Sequence, residues 1–477
     1  MTRATVWDRA EAKGAPRSSW EDAARLPFWL DSPLRPEPCD PLVGSEQADL
    51  AIVGAGLSGL WAAVLAKQRD PGLGVIVVEG ERIASGASGR NGGLLESSLT
   101  HGLENGLARF PDQMEALERL GEENFADVCD LISSGSIDCG LELSAALSTA
   151  VEPHQVDWLE EAAETAARYG HDVAVLDAEA TRAEVASPLY LGGMIDRTGA
   201  GMLDPARLSW GLSRVAQELG IRVFEQTEVV RLTRRGPGVG LETREGAIEA
   251  RRALLASGAT RGLVPAIRRR IVPVYDYVLV TEPLTREQLA SIGWANRQGL
   301  SDSSNQFHYY RLTQDDRILF GGFDAVYHYG SGKRPGLEQS ERSSARLAAH
   351  FFAVFPQLEG LRFTHRWGGA IDTCSRFFAF YGTAHRGAVA YSVGHTGLGV
   401  CASRFGAGVA LDLLEGRESE SGKLDAIRRR PWPFPPEPLR WAVIALTRNR
   451  LAAADRRQGR RGLWLGLLDR LGLGFDS

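Results

Sequence analysis

The chain has 477 residues, which exceeds one ordinary hydrophobic core and predicts two interleaved domains. Hydrophobic residues make up 44% and charged residues 24% of the chain, and both values are typical of globular proteins. The net charge of −6 gives no reason to expect a nucleic-acid partner for the whole molecule.

The five cysteines are scattered without a CxxC pair. This pattern argues against a disulfide framework or a structural zinc site and is typical of a reducing compartment, so no metal is expected. The first twenty residues are polar and lack the apolar run of a signal peptide. No stretch reaches the roughly 18 consecutive apolar residues of a membrane span. We therefore expect a soluble, cytoplasmic protein.

The first predicted elements form a strand–turn–helix–strand unit. Residues 1–44 are rich in proline and charge and are expected to form an arm over the main body. The apolar run 48–53 ends in glycines and predicts a buried parallel strand, and a helix is predicted over 57–68. A second apolar run, 75–78, ends at Glu79. This order predicts a βαβ unit.

The remaining elements alternate between helices and short strands. Helices are predicted over 105–134, 155–169, 208–219, 338–355 and 400–414. Strands are predicted over 221–224, 229–232, 240–243, 253–256, 271–281, 307–312, 318–321 and 388–393.

The tail over 421–477 is basic, with eleven Lys/Arg against three Asp/Glu between residues 423 and 461. A Pro-rich break precedes an amphipathic helix predicted over 439–451. One interpretation is a membrane-surface or partner-docking element. The other is a helix packed on the domain with solvated arginines, which the frequency of basic amphipathic stretches on ordinary surfaces favours.

A glycine-rich turn follows the first predicted strand. It consists of Gly54, Ala55, Gly56, Leu57, Ser58 and Gly59, which is a G-x-G-x-x-G sequence. Gly54 permits a tight turn, Gly56 lets the backbone approach a pyrophosphate, and Gly59 lets helix and strand pack closely. The helix that follows presents free N–H groups and a positive dipole end to phosphates. The turn therefore predicts a dinucleotide site.

Glu79 lies 20 residues beyond Gly59, where an acidic side chain meets a ribose hydroxyl in such sites. A carboxylate there indicates a free 2′-hydroxyl, hence FAD or NAD rather than NADP. Glu79 does not choose between these two dinucleotides.

Further segments of the chain decide between FAD and NAD. They are the run Arg82-Ile83-Ala84-Ser85-Gly86-Ala87-Ser88-Gly89-Arg90-Asn91-Gly92-Gly93, then 204–208, 227–229, 256–259 and 394–399. In this order they resemble the D-amino acid oxidase-like superfamily of flavoproteins, in particular the branch that contains gamma-glutamylputrescine oxidoreductase. The resemblance covers roughly residues 45–415, and several spaced motifs that agree are more specific than any one of them.

The resemblance implies an α/β fold with a discontinuous Rossmann-like FAD-binding domain and a substrate domain built on a mixed β-sheet. The FAD-binding domain is expected to comprise 45–138, 201–265 and 370–420, and the substrate domain 139–200 and 266–369. Residues 1–44 form the arm and 421–477 the tail.

The resemblance also implies the residues that hold FAD. Besides Gly54 to Gly59 and Glu79 they are Arg82, Ser88, Arg90, Asn91, Gly92, Gly93, Val229, Ser257, Gly258, Gly394, Thr396, Gly397, Leu398 and Gly399. Val229 is expected to contact adenine through its backbone. The turn at Gly394 opens a helix whose dipole can stabilise the negative charge of reduced flavin.

Candidates near the substrate are Tyr309, Trp367 and His395, with Tyr275 as a further aromatic wall and Tyr277 beside it. Aromatic walls would desolvate an amine and favour its neutral form. No cysteine occurs between Cys139 and Cys374. The thioether tether of related sarcosine oxidases is therefore absent, and FAD is expected to be noncovalent.

The segment after Trp367-Gly368-Gly369 departs from relatives, which often carry an acidic residue and a proline there. This chain has Asp372-Thr373-Cys374-Ser375-Arg376-Phe377-Phe378. Arg376 is either a surface residue or a clamp for a substrate carboxylate.

The predicted function is oxidation of the C–N bond of a small amine or amino acid by hydride transfer to FAD. Water would hydrolyse the resulting imine, and oxygen or another acceptor would take the electrons. The alternatives are an FAD-dependent dehydrogenase or monooxygenase that acts on a non-amine metabolite, and a flavin-binding protein without turnover.

Overall fold

Two large β-sheets with helices packed on them form the structure. The computed structural model describes residues 3–260, 262–331, 334 and 336–474. The helices are α1 Val6–Lys13, α2 Leu57–Arg69, α3 Leu103–Leu107, α4 Met114–Ser134, α5 His154–Arg168, α6 Ala178–Glu184, α7 Pro205–Glu218, α8 Pro265–Arg268, α9 Arg286–Ile292, α10 Glu341–Val354, α11 Gly399–Glu415, α12 Asp425–Arg428, α13 Leu439–Asp455 and α14 Leu463–Arg470.

The strands are short apart from four of ten or eleven residues. They are β1 Gly44–Val53, β2 Val75–Val78, β3 Leu94–Glu96, β4 Glu142–Leu143, β5 Ala146–Ala150, β6 Val173–Asp177, β7 Gly192–Asp196, β8 Ala200–Met202, β9 Arg222–Phe224, β10 Arg231–Arg235, β11 Gly238–Glu242, β12 Gly246–Leu255, β13 Val272–Thr281, β14 Gly299–Asp302, β15 His308–Leu312, β16 Ile318–Gly322, β17 Val326–Tyr327, β18 Phe363–Thr373, β19 Phe380–Ala384 and β20 Val389–Val393.

The first sheet has eight strands and contains the predicted βαβ unit. Five neighbouring strands, β9, β2, β1, β12 and β20, run parallel to one another. The strands β10, β11 and β19 add antiparallel edges. The ends of β1 and β2 are apolar and buried, and helix α2 packs with α7 and α11 beside them. Burial on both faces is typical of parallel strands.

The second sheet has nine strands in the order β17-β13-β16-β15-β14-β5-β7-β6, and β18 pairs with β13. The pair β14–β5 is parallel and the other pairs are antiparallel, so the sheet is mixed. The two sheets confirm the predicted α/β fold with a mixed second sheet.

The two faces of the second sheet contact different cores because side chains alternate along a strand. Trp367, Val278 and Leu319 belong to the core that they share with helix α2 and the first sheet. Tyr310 and Phe351 belong to the core between the opposite face and helix α10. This alternation decides which side chains face the glycine turns.

The N-terminal arm lies against this second core. Trp7 of α1 is buried there, and its indole ring lies 4.4 Å from the imidazole of His308. Among the residues that the structure describes, no helix has the length and apolar content needed to cross a membrane.

Candidate functional site

The predicted cofactor residues follow neighbouring strands at one edge of the first sheet. Gly54 follows β1, Glu79 follows β2, Ser257 lies just beyond β12, and Gly394 follows β20. Since these strands are parallel neighbours, the four positions lie along the same edge. The carboxyl ends of parallel strands are where α/β sheets bind their ligands.

The first glycine turn is tight enough to exclude side chains. A Cβ atom on Gly54 would lie 2.5 Å from the Ala256 carbonyl oxygen, and Gly54 has a φ of +105°. A Cβ on Gly59 would lie 1.8 Å from the Gly54 carbonyl oxygen. Both glycines therefore let the backbone of helix α2 approach the neighbouring strands, as the sequence predicts.

The second glycine-rich segment lies against the N-terminus of α2. The Leu57 N–H donates to Ser88 Oγ at 2.9 Å. A Cβ on Gly56 would lie 2.7 Å from the same oxygen. The N-cap residue is Gly56, so this helix has no side-chain cap of its own. Its first turn faces the segment that carries Ser88. This arrangement fits a phosphate-binding helix terminus.

Glu79 connects the turn over 54–59 to the segment that carries Thr227. Its Oε2 accepts from the Ala55 N–H at 2.8 Å, and its carbonyl oxygen accepts from the Thr227 N–H at 2.7 Å. Val229 lies two residues beyond Thr227 and is buried. Glu79 and Val229 thus belong to one connected corner, which fits the predicted ribose and adenine contacts.

Arg82 points away from this corner, since its guanidinium donates to the Pro36 carbonyl oxygen of the N-terminal arm. A direct contact of Arg82 with the cofactor therefore has no support in this geometry.

Internal hydrogen bonds fix the loop over Arg90 to Gly93. The Asn91 Oδ1 accepts from the Gly93 N–H at 2.8 Å. Arg90 donates from Nε to the Ser85 carbonyl oxygen at 2.7 Å and forms an ion pair with Glu338 at 2.9 Å. Its Nη1 also donates to the Gly368 carbonyl oxygen of β18 at 3.1 Å, so the side chain of Arg90 holds the loop against the second sheet.

The third glycine turn, over 394–399, is held in place by the acidic side chain of Asp372. The Gly394 N–H donates to Asp372 Oδ2 at 2.6 Å, and His395 Nδ1 lies 3.7 Å from the same oxygen. Thr396 has a φ of +52° and its Oγ1 donates to the Gly394 carbonyl oxygen at 3.0 Å. Helix α11 begins at Gly399 without a side-chain cap, which leaves its N-terminus as a site for negative charge.

His101, which no sequence motif indicates, reaches the turn over 394–399. Its Nε2 would lie 3.8 Å from a Cβ on Gly397, and its backbone is left-handed with a φ of +62°. Burial lowers the pKa of His101 to about 4, so the ring is neutral at pH 7. No motif surrounds His101, and its position depends on tertiary packing alone.

Tyr309 and Trp367 converge on the loop that follows Ser88. A Cβ on Gly92 would lie 2.7 Å from Tyr309 Cε2. The Trp367 Nε1 donates to the Arg90 carbonyl oxygen at 2.9 Å. Both side chains therefore face the predicted cofactor loop, whereas His395 belongs to the third turn.

Asp276 is a second site residue that no sequence motif indicates. The Tyr309 hydroxyl donates to Asp276 Oδ2 at 2.6 Å, and the Tyr277 N–H donates to Oδ1 at 2.8 Å. Burial raises the pKa of Asp276 to about 6. Asp276 pairs with Gly369 across strands β13 and β18, and a Cβ on Gly369 would lie 3.3 Å from the Arg90 Cβ. The carboxylate therefore lies on the face that carries Tyr309.

Three candidates occupy other places. Tyr275 and Tyr277 alternate with Asp276 along β13 and pack in the core on the opposite face, so the expectation of a Tyr275 wall is wrong. Arg376 is buried and donates to the carbonyl oxygens of Ala426 and Arg429 at 2.8 Å each. Arg376 is thus neither a surface residue nor a carboxylate clamp.

Arg311 connects the second sheet to the loop over Arg90 to Gly93. Its Nη1 donates to the carbonyl oxygens of Gly93 and Leu203 at 2.9 and 2.8 Å. Arg311 is 1% exposed, and burial lowers its pKa to about 10, so it stays charged at pH 7. Its role is to position the loop.

The first sheet carries glycine turns at one edge and an acidic residue after its second strand, and a mixed second sheet lies beside it. This combination defines a dinucleotide-dependent oxidoreductase. A family profile described as FAD dependent oxidoreductase (DAO) matches residues 49–413. Gamma-glutamylputrescine oxidoreductase of Escherichia coli strain K12 is 31% identical over 416 residues, which cover 86% of this chain and 92% of that protein. The chain belongs to the DAO family of FAD-dependent oxidoreductases.

Other relatives agree with this assignment. Probable oxidoreductase OrdL of Haemophilus influenzae is 26% identical over 84% of this chain and 90% of that protein. The structure of glycine oxidase from Geobacillus kaustophilus superposes with a TM-score of 0.65 at 21% identity, over 79% of this chain and 96% of that chain. L-proline dehydrogenase from P. horikoshii gives 0.64 at 19% identity, over 80% and 96%. These solved structures establish the shared fold.

Proposed function

We propose that this FAD-dependent oxidoreductase oxidises the C–N bond of a small amine or amino acid. The observation that carries the proposal is the pair of Asp276 and Tyr309, a carboxylate held by a phenol on the sheet face next to the cofactor loop. A carboxylate in that position favours a substrate that arrives as an ammonium ion. The names of the amine- and amino-acid-oxidising relatives support the same class.

The residues present fit FAD. Gly54, Gly56 and Gly59 leave space that a Cβ would fill, and the α2 terminus offers N–H groups to phosphate. Glu79 would hold the ribose, the loop with Ser88, Asn91, Gly92 and Gly93 would line the flavin, and Gly394 to Gly399 would close its other end. Bound FAD would supply the hydride acceptor. The division into 45–138, 201–265 and 370–420 against 139–200 and 266–369 belongs to this proposal.

Asp276 would remove the proton that blocks the reaction. An alkylammonium ion has no lone pair, and oxidation of the C–N bond requires the neutral amine. With a pKa of about 6, Asp276 is mostly ionised at pH 7 and can accept that proton. The Tyr309 hydroxyl holds the carboxylate in one orientation.

Trp367 and His395 would act on the loops around the reaction. Trp367 holds the Arg90 carbonyl oxygen and excludes water with its ring, which makes it a positioning residue. His395 and Asp372 would hold the turn over 394–399, and the N-terminus of α11 beyond it would favour negative charge on the bound cofactor. The imine that forms would hydrolyse in water, and oxygen or another acceptor would take the electrons.

The test is anaerobic mixing of the purified yellow holoprotein with amines and with D- and L-amino acids, monitored by loss of flavin absorbance. We expect a subset of primary or secondary amines to bleach the flavin. D276N should bleach about 10²-fold more slowly, as for loss of a general base. The matched control is D315N, because Asp315 lies in an exposed turn of the same sheet.

The alternatives give different results. A flavin that a non-amine metabolite reduces, and amines do not, would identify the dehydrogenase or monooxygenase. A yellow protein that no small molecule reduces would identify a flavin-binding protein without turnover. Equal rates for D276N and D315N would leave amine oxidation standing and remove Asp276 from the mechanism.

A further inference from the structure

The C-terminal tail lies outside the part of the chain that the family profile matches. The family profile ends at residue 413, and the tail over 421–477 continues with helices α12, α13 and α14. Helix α13 buries only Ala454 and helix α14 only Leu465. The Trp464 Nε1 donates to Thr447 Oγ1 at 3.1 Å, so the two longer helices pack on each other. Much of their apolar surface therefore faces outwards.

The outward side chains are large and apolar. Leu463 is 97% exposed and Trp432 is 68% exposed. The exposed large apolar residues of the tail are Trp432, Leu439, Trp441, Leu446, Leu463, Leu467 and Leu471. These include rows with helical spacing, since Leu439 and Leu446 lie seven residues apart on α13, and the last three recur every four residues. Such rows form stripes along a helix.

The tail is positively charged, whereas the rest of the chain is negatively charged. Residues 421–477 carry twelve Lys/Arg against five Asp/Glu, whereas the whole chain carries 54 against 60. The tail thus has a net charge of +7 on a body of −13. Segregation of this kind orients a molecule towards a negatively charged surface.

The four acidic residues of the tail that the structure describes face inwards or are paired. Asp455 accepts from the Asn305 side chain at 2.7 Å, and Glu437 accepts from the Gly330 N–H at 3.1 Å. Asp425 and Asp469 form ion pairs with Arg429 and Arg461, and the fifth acidic residue, Asp476, lies outside the described residues. Exposed cations of the tail are Lys423, Arg428, Arg429, Arg430, Arg450, Arg456, Arg457, Arg460 and Arg470.

We infer that the tail over 421–477 is a peripheral membrane-binding element that takes an anionic lipid bilayer. Exposed leucines beside exposed cations are the composition of helices that lie in the bilayer interface. Tryptophan is the side chain that prefers this interface, and Trp432 lies two residues from Arg430. An acidic protein would match the cations and would leave the stripes of leucine without an apolar counterpart.

The experiment is co-sedimentation of the full-length holoprotein with lipid vesicles. Vesicles of phosphatidylcholine alone are compared with vesicles of equal parts phosphatidylcholine and phosphatidylglycerol. We expect binding to the anionic vesicles about tenfold or more above binding to the neutral ones, weakening as NaCl rises. The tryptophan emission should shift to the blue on binding, and W432F/W441F should reduce that shift.

Paired variants separate the two contributions. L463Q/L467Q removes apolar surface and R428Q/R430Q removes charge, and each should lower the bound fraction several-fold. The matched controls are V43Q, an exposed apolar residue elsewhere, and R234Q/R235Q, two exposed arginines of strand β10. Unchanged flavin absorbance and melting temperature would show that all four variants fold.

Three outcomes would overturn the inference. The first is a wild-type protein that stays in solution with anionic vesicles at low salt. The second is equal loss of binding in the tail variants and in their controls. The third is binding to soluble poly-glutamate as strong as to the vesicles and insensitive to L463Q/L467Q, which would assign the tail to an acidic polypeptide.

Discussion

Tyr309 contributes a single hydrogen bond to Asp276, and its loss has a defined electrostatic consequence. Burial raises the pKa of Asp276 to about 6, and this bond limits the rise because it stabilises the ionised carboxylate. In Y309F we expect the pKa of Asp276 to rise further. The acidic limb of the second-order rate constant for flavin reduction by the amine should then move to higher pH by about one unit.

The measurement is the pH profile of anaerobic flavin reduction between pH 5 and 9. The control is Y310F, since Tyr310 lies on the opposite face, where its hydroxyl bonds that of Tyr190 at 2.8 Å. A Y309F profile that coincides with that of Y310F would show that Asp276 does not govern the limb.

Single residues differ in how far sequence predicts them. Gly54 and Gly59 could be placed because a local backbone requirement fixes them within one turn. Asp276 and His101 could not, since their roles depend on which strand face or loop meets the cofactor segment. The sequence showed tyrosines on either side of Asp276, and the alternation along β13 turns those two away and this one inwards.

At the scale of elements, the contact of helix α2 with strand β1 can be tested by a matched pair of substitutions. Gly59 and Gly408 both lie inside helices, so alanine at either should favour the helix by about 0.5–1 kcal/mol. At Gly408 the nearest atom to a new Cβ is 4.0 Å away, and at Gly59 it is a backbone oxygen at 1.8 Å. We expect G408A to keep its FAD and G59A to lose it.

The readouts are the ratio of flavin to protein absorbance and the melting temperature of the purified variants. G59A should have an absorbance ratio near zero and a lower melting temperature. A G59A protein that purifies as yellow as G408A would mean that the close contact of helix and strand does not shape the cofactor site.

Elements with strong periodicity were predicted closely. The strand predicted over 75–78 is observed as Val75–Val78, and the helix predicted over 400–414 as Gly399–Glu415. Strands β5, β6 and β7 were missed. β5 contains two alanines and a serine, and β7 begins with two glycines, so the local preference of these two segments for a strand is weak. Pairing with neighbours in the second sheet stabilises them.

At the scale of the whole molecule, His171 connects the two sheets. Its Nδ1 lies 2.7 Å from Asp196 Oδ2 of strand β7 in the second sheet. Its Nε2 lies 3.2 Å from Glu118 Oε2 of α4, a helix that packs on α11 beside the first sheet. These two carboxylates raise the pKa of His171 to about 10, so the imidazolium bridges them at neutral pH.

This raised pKa predicts how stability depends on pH. The folded chain holds the proton more tightly than the unfolded chain, whose histidine has a pKa of about 6.5. The stabilisation is therefore fully present below pH 6.5 and is lost as pH rises through about 10. H171Q should lower the free energy of unfolding by on the order of 3 kcal/mol at pH 6.5, and the difference should shrink towards pH 10.

Urea unfolding at pH 6.5, 8 and 10 measures this difference directly. The control is H154Q, because burial lowers the pKa of His154, which is the opposite direction to the shift of His171. The gap between wild type and H154Q should therefore not close as pH rises, whereas the gap for H171Q should close. A constant gap for H171Q would show that His171 joins the sheets as a neutral ring, and the charge-based account of this contact would be wrong.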